Sequence, residues 1–327
     1  MAVKERDDNR PCTGAALQSE PFASILLVTK NGERYLEECL AGIFSQKVDF
    51  PFEVIAVDSG STDRTLSILS RYSVRIHQIK PSDFGHGRTR NFAAGLARGK
   101  FIVFLTQDAT PANGQWLGEL VRNIENTPGA AGAYSRWLCR REGHVLEKIW
   151  IEQLFVSTPR IQKIEGSCQD LDKKQNRRLI LFSNVSSCIC RAVWEKIRFD
   201  EGTRFAEDQM WAKQAIEAGY SIVYAPSSEV YHSHNDPWSV FIKRNIESGM
   251  AFGRISTLRK VPLPFSWPNV FRSIIREGRE QGKGPFAVFL FLLEASCRCI
   301  TGEICNRVGY CRGVFLNRLE KIFGKKD

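Results

Sequence analysis

A chain of 327 residues with 43% apolar and 25% charged residues has an ordinary globular composition, enough for one large α/β domain with an appendage or for two domains. Its net charge of +10 is uneven: from Ala251 onward there are 14 Lys/Arg against 6 Asp/Glu, a patch that draws either nucleic acid or an anionic membrane face. Met1 to Glu20 lacks the apolar stretch of a signal peptide, and the apolar run Phe286 to Leu293 falls short of the ~20 residues that span a bilayer, so a flexible leader and a cytoplasmic protein are expected.

Ser24 to Thr29 reads as a first buried strand, followed by a helix over Glu33 to Gln46 with Tyr35, Leu36, Leu40, Ile43 and Phe44 at helical spacing. Phe52 to Val57 is a second strand running into Asp58. Thr62 or Asp63 then caps a helix carrying Leu66, Ile68 and Leu69. A short strand near Val74 to Ile79, a turn at Phe84-Gly85-His86-Gly87 and a helix from Arg88 to Arg98 lead through Gly99 into Phe101-Ile102-Val103-Phe104-Leu105. That run is apolar on both faces, the pattern of a strand in a parallel sheet under helices. It stops at Thr106-Gln107-Asp108, which sets a carboxylate at the sheet edge where open α/β folds bind ligands. There Asp108 either holds Mg²⁺ or Mn²⁺ against phosphates or caps the turn into Pro111.

The β-α-β-α-β-α-β order predicts a mostly parallel, Rossmann-like sheet flanked by helices, with Asp58 and Asp108 brought to one crevice. Tyr134 to Arg178 is charged and irregular and is expected to be an insertion that covers a site. Leu179 to Ile189 reads as a strand, Arg191 to Ile197 as a helix, and Ala206 to Ala218 as a helix with Glu207 and Asp208 in its first turn, stopped by Gly219. Ser221 to Tyr224 is a strand, and Glu229 to His234 extends the chain to His232-x-His234, whose side chains point the same way. Past Trp238 the chain turns helical and basic, with Trp238, Phe241 and Ile242 expected to pack inward. Near the end, Phe315, Leu319, Ile322 and Phe323 form an apolar stripe beside Arg318, Lys321, Lys325 and Lys326. Such a helix either lies on an anionic membrane or packs on the domain before it. Of ten cysteines, Cys188 and Cys190 share a strand face, and Cys297, Cys299, Cys305 and Cys311 lack paired C-x-x-C spacing, so reduced thiols are expected.

Val57-Asp58-Ser59-Gly60-Ser61-Thr62-Asp63, Gly87-Arg88-Thr89-Arg90-Asn91, Phe104-Leu105-Thr106-Gln107-Asp108, Glu207-Asp208 and the later histidine pair occur in the order of a family-two glycosyltransferase. From about Phe22 to about His234 the chain resembles that family, with the GT-A fold. Phe84 to Asn91 followed by Thr106-Gln107-Asp108 resembles its bacterial rhamnosyltransferase branch. The resemblance implies a GT-A domain (21–236), preceded by a leader (1–20) and followed by a basic helical region (237–327) that lies outside the resemblance and either contacts a membrane or packs on the domain. It implies an inverting hexosyltransferase that takes a nucleotide sugar, dTDP-L-rhamnose, and extends a lipid-linked cell-envelope glycan such as O-antigen at the inner face of the cytoplasmic membrane.

Within that frame Asp58 accepts from the base, and Thr29, Asn31, Arg88, Arg90, Asn91 and Gln107 bind the nucleotide sugar. Asp108 with His232 or His234 holds Mg²⁺ or Mn²⁺. Asp208 is the general base, supported by Glu207, and the helix amino terminus should lower the Asp208 pKa. The chain departs from the family's Asp-x-Asp at Thr106, which implies modest metal affinity. UDP- or GDP-linked donors fit the same motifs. A non-catalytic nucleotide or nucleic-acid module is the competing class, but no nucleic-acid fold signature is present, and no G-x-G-x-x-G follows the first strand.

Overall fold

Apolar runs in the first 110 residues become four adjacent parallel strands in the computed structural model, which describes residues 20–164, 179–203, 205–234 and 236–255 and scattered positions between 272 and 312. The strands are β1 (Ala23–Thr29), β2 (Phe52–Asp58), β3 (Arg75–Gln78) and β4 (Phe101–Thr106), interleaved with α1 (Leu36–Phe44), α2 (Thr65–Leu69) and α3 (His86–Leu96). β1 pairs with both β2 and β4, and Thr29 is level with Asp58 while Val28 is level with Thr106. These carboxyl ends therefore share one edge. The third helix begins at His86, two residues before the expected start, because Gly85 is extended and turns the chain into it.

Beyond β4 the sheet is mixed. After β5 (Thr110–Pro111) and α4 (Trp116–Glu125) come β6 (Ala130–Leu138), α5 (Val145–Leu154), β7 (Arg160–Gln162), β8 (Ser186–Cys190), α6 (Arg191–Trp194), α7 (Glu207–Glu217), β9 (Ser221–Tyr231) and α8 (Trp238–Ile255). The order is β3-β2-β1-β4-β8-β6-β9-β5, with β7 on β9. β8 runs antiparallel to β4 and starts where β4 ends, with Leu105 level with Ser186. β6 and β9 run parallel to each other and antiparallel to β8, so they finish at the same edge. Chain reversal at β8 thus adds three more segment ends to the crevice.

The expected strand over Leu179 to Ile189 is shorter. Leu179 to Val185 lies outside the ladder, and only the stretch from Ser186 pairs. The stretch from Tyr134 is likewise corrected: as far as residue 164 it is regular and belongs to the core. One face of the sheet packs Ile25, Leu27, Val103 and Leu105 against α1, α2 and α4. The other packs Leu26, Ile102 and Phe104 against α3, α6 and α7 together with Tyr134, Ile151, Phe155 and Phe182. Full burial of such a side chain contributes about 1.5–3 kcal/mol, and the charges of this stretch hid its aromatic inner face. Residues 165–178, most of the leader, Phe286 to Leu293 and the Phe315 to Phe323 stripe lie outside the described residues. No helix among the described residues is long and apolar enough to cross a membrane. Trp238 does not pack inward as expected: it is 38% exposed, edge-on to Phe241.

Candidate active site

The carboxylate of Asp58, at the end of β2, is fully buried and already saturated. Oδ1 accepts the backbone N–H groups of Gly60 (3.0 Å) and Ser61 (2.9 Å), and Oδ2 accepts the hydroxyls of Thr29 (3.0 Å) and Ser61. The turn demands φ +87° at Gly60, a conformation open to glycine at no cost. Asn31 ties this loop to the end of β1: its Oδ1 accepts Thr62 N–H (2.9 Å), and its own N–H donates to Ser61 Oγ (2.8 Å). Gln107 grips the Lys30 peptide from both sides, at 2.9 Å each. A Cβ at Gly32 would lie 2.3 Å from Gln107 Oε1, so a larger residue there would displace the Gln107 side chain. Thr29, Asn31, Asp58 and Gln107 thus build one loop platform and spend their polar groups on it.

Asp108 meets both histidines. The ligating atoms of Asp108, His232 and His234 lie within 4.8 Å of one another, and His232 Nδ1 is 3.5 Å from Asp108 Oδ1. His232 is buried, and its Nδ1 makes no hydrogen bond. Burial acts to raise the Asp108 carboxyl, yet it is held below the usual range. Burial pushes both histidines down, His234 to about 3, which keeps them in the neutral form that binds metals. An unpartnered buried imidazole nitrogen beside a carboxylate and a second neutral imidazole fits a divalent cation.

The carboxyl edge continues through β8. Thr106 N–H donates to Val185 O (3.0 Å), and Asn184 N–H donates to Asp208 Oδ2 (3.1 Å), which links the end of β4 to the start of α7. Asp208 Oδ1 accepts Gln209 N–H (2.8 Å). The expected lowering of its pKa does not occur. Burial and the adjacent Glu207 carboxylate push Asp208 up to about 7, outweighing the helix amino terminus and Arg90. Ala206, immediately before, is held at φ 61°. A left-handed non-glycine residue costs on the order of 1–3 kcal/mol, and here it aims the first turn of α7.

Arg90 is committed elsewhere than at a phosphate. Its guanidinium is buried 2.6 Å from Glu207 Oε1, a pair 117 residues apart in sequence. Asn91 clamps the loop after α6: Nδ2 donates to Phe199 O (2.9 Å) and Glu201 Oε1 (3.0 Å), and Oδ1 accepts from Trp194 and Phe199. Gly87 lets this loop approach, since a Cβ there would lie 2.3 Å from Asp200 O. Arg88 is more than half exposed and only loosely paired, 3.7 Å from Glu201. Of the cations expected at the site, Arg88 is the one left able to turn toward an anion.

Three further residues shape the site and carried no local sequence signal. Buried Arg140 donates to Asp108 O (3.0 Å) and Thr110 Oγ1 (2.7 Å), pairs with Glu38 at 3.0 Å, and lies over the Tyr35 ring. Trp137 meets the His232 ring edge-on at 4.9 Å. The carboxylate of Glu147, in the first turn of α5, faces the backbone N–H of His234.

Residues 24–181 match the profile of glycosyl transferase family 2. O-antigen chain rhamnosyltransferase WbaN of Salmonella anatum is 35% identical over 194 residues, 59% of this chain and 60% of that protein. O-antigen chain rhamnosyltransferase RfbN of Salmonella typhimurium is 31% identical over 215 residues, 65% of this chain and 66% of that protein. The chain therefore matches somewhat under two thirds of the length of either relative. Among solved structures, the mannosyltransferase PcManGT of Pyrobaculum calidifontis, in complex with GDP-Man and Mn²⁺, superposes with a TM-score of 0.55 at 17% identity. That superposition covers 94% of this chain and 89% of the other, and it speaks for the α/β fold with its curled mixed sheet.

Proposed function

We propose that this chain, whose residues 24–181 match glycosyl transferase family 2, is an inverting transferase moving L-rhamnose from dTDP-L-rhamnose to a lipid-linked cell-envelope glycan. The observation that carries the proposal is the meeting of Asp108, His232 and His234 at the sheet edge that also presents Asp208. The acceptor hydroxyl oxygen attacks the anomeric carbon as the bond from that carbon to the diphosphate oxygen breaks. The electron pair leaves with dTDP, and Asp208 takes the hydroxyl proton. A single displacement inverts the anomeric centre. With its pKa near 7, Asp208 is matched to proton removal at neutral pH.

Asp108, His232 and His234 would hold Mn²⁺ or Mg²⁺, whose charge stabilises the departing diphosphate. Arg88 turns from Glu201 to the same phosphates, while Arg90 and Glu207 fix the two helices that carry Arg88 and Asp208. Asp58, through the Gly60-Ser61 loop that Asn31 and Thr29 brace, forms the shelf for the base. The basic region 237–327 sets the domain against the anionic inner face of the membrane, where a lipid-linked acceptor lies.

The test is a panel of dTDP-, UDP- and GDP-sugars with purified protein, Mn²⁺ and a lipid-linked acceptor. Consumption of dTDP-L-rhamnose with inversion is expected; preference for another donor, or retention, contradicts the proposal. Two neutral imidazoles beside one carboxylate suit Mn²⁺ better than Mg²⁺, which favours oxygen ligands. Initial rates at equal, subsaturating ion concentrations are therefore expected to be several-fold higher with Mn²⁺. The pH profile carries a sign as well. The base works deprotonated, so log kcat is expected to rise with unit slope up to about pH 7 and then level off.

A further inference from the structure

Glu147 has no part in the chemistry above, yet its side chain is only 13% exposed and it lies against the segment that carries the histidines. β9 ends at Tyr231, so the sheet ladder does not fix the residues after it. His232 N–H is still held by Leu138 O (2.9 Å), and Ser233 Oγ accepts Arg140 N–H (3.0 Å). His234 is held from α5: the Glu147 carboxylate faces its backbone N–H, and His144 N–H reaches its carbonyl at 3.5 Å. Glu147 in turn lies 3.7 Å from Arg244 of α8, which also pairs with Asp236 at 3.1 Å. One carboxylate therefore joins the last histidine of the cluster to the first helix of the basic region.

We propose that Glu147 is the positioning residue for the metal ligand His234, and that Arg244 makes α8 part of the same support. This rests on the assignment of His234 as a ligand. Metal ligands need their orientation fixed from outside the coordination sphere, and loss of such a support costs about 10–100-fold in affinity. Here the support acts on the backbone of the ligand, and it draws on a helix beyond the segment that matches the family.

Titrating Mn²⁺ alone into the full chain, read by the loss of free-ion electron paramagnetic resonance signal, tests this. Glu147→Ala is expected to weaken Mn²⁺ at least tenfold and Arg244→Ala several-fold. Arg244→Lys and Glu147→Gln, whose amide oxygen can still face the His234 N–H, should stay near wild type. In a His234→Ala background, Glu147→Ala should cost nothing further, which a general loss of fold would not reproduce. Equal Mn²⁺ affinity across these variants, an additive loss in that background, or no Mn²⁺ binding by the wild type overturns the inference. The titration uses no sugar donor, so failure of the donor panel leaves its outcome unchanged.

Discussion

Asp208→Asn is expected to lower kcat by about 10²–10⁴-fold, the usual contribution of a general base, while dTDP binds with unchanged affinity. The residue is placed for this role: the start of β8 and its own helix turn fix both oxygens, and burial beside Glu207 raises its pKa to about 7. Its ordinary role in a first helical turn, stabilising the helix amino terminus as an anion, would call for a low pKa instead. Isothermal titration with dTDP beside steady-state rates separates the possibilities. Affinity falling together with turnover would mean that the carboxylate holds the donor. The raised pKa also carries a cost in stability. The favourable contribution is present below the unfolded pKa near 4 and is lost as pH rises through about 7. The Asn variant does not titrate, so its melting temperature should depend less on pH between about 4 and 7.

Glu207→Ala should destabilise the fold by about 3–5 kcal/mol, because it strands the Arg90 guanidinium beneath α3 and α7 without a counter-charge. Urea unfolding measures the loss, and near-wild-type stability would mean that Arg90 finds another anion. Glu207 also holds Asp208 up while Arg90 holds it down. In protein that remains folded, the acid limb of the pH–rate profile should therefore move below pH 7. Two effects of opposite kind, on folding and on titration, arise from one buried contact.

The range of the forces involved decides how much of this molecule is legible in its residues. β1, β2 and β4 are apolar runs that end in polar residues, so their existence, direction and shared edge are local information. The same holds for the first turn of α7 and for the two-residue spacing of His232 and His234. Long-range partners are not written locally. Nothing near Arg90 marks Glu207 as its counter-ion, and nothing near Asp58 shows that Thr29, 29 residues before it, will complete its hydrogen bonds. Lys, Arg and Glu between Tyr134 and Leu154 gave the appearance of an insertion, whereas Tyr134, Ile151 and Phe155 close one face of the core. Glu147 and Arg140 fall in that stretch and could be found only once β6 and β9 were laid side by side. The direction of the Asp208 shift depended on burial and on the field of Glu207, neither of which helix position reveals.

A cation and a nucleoside diphosphate are expected to share one site built from β4, β9 and α7. Measuring the Mn²⁺ dissociation constant with and without saturating dTDP, in wild type and in Asp108→Asn, tests that sharing directly. Cooperative binding should tighten Mn²⁺ at least tenfold in the wild type, dTDP should tighten by the same factor in Mn²⁺, and the variant should lose the coupling. A wild-type Mn²⁺ affinity that dTDP leaves unmoved, or coupling that survives Asp108→Asn, would contradict it.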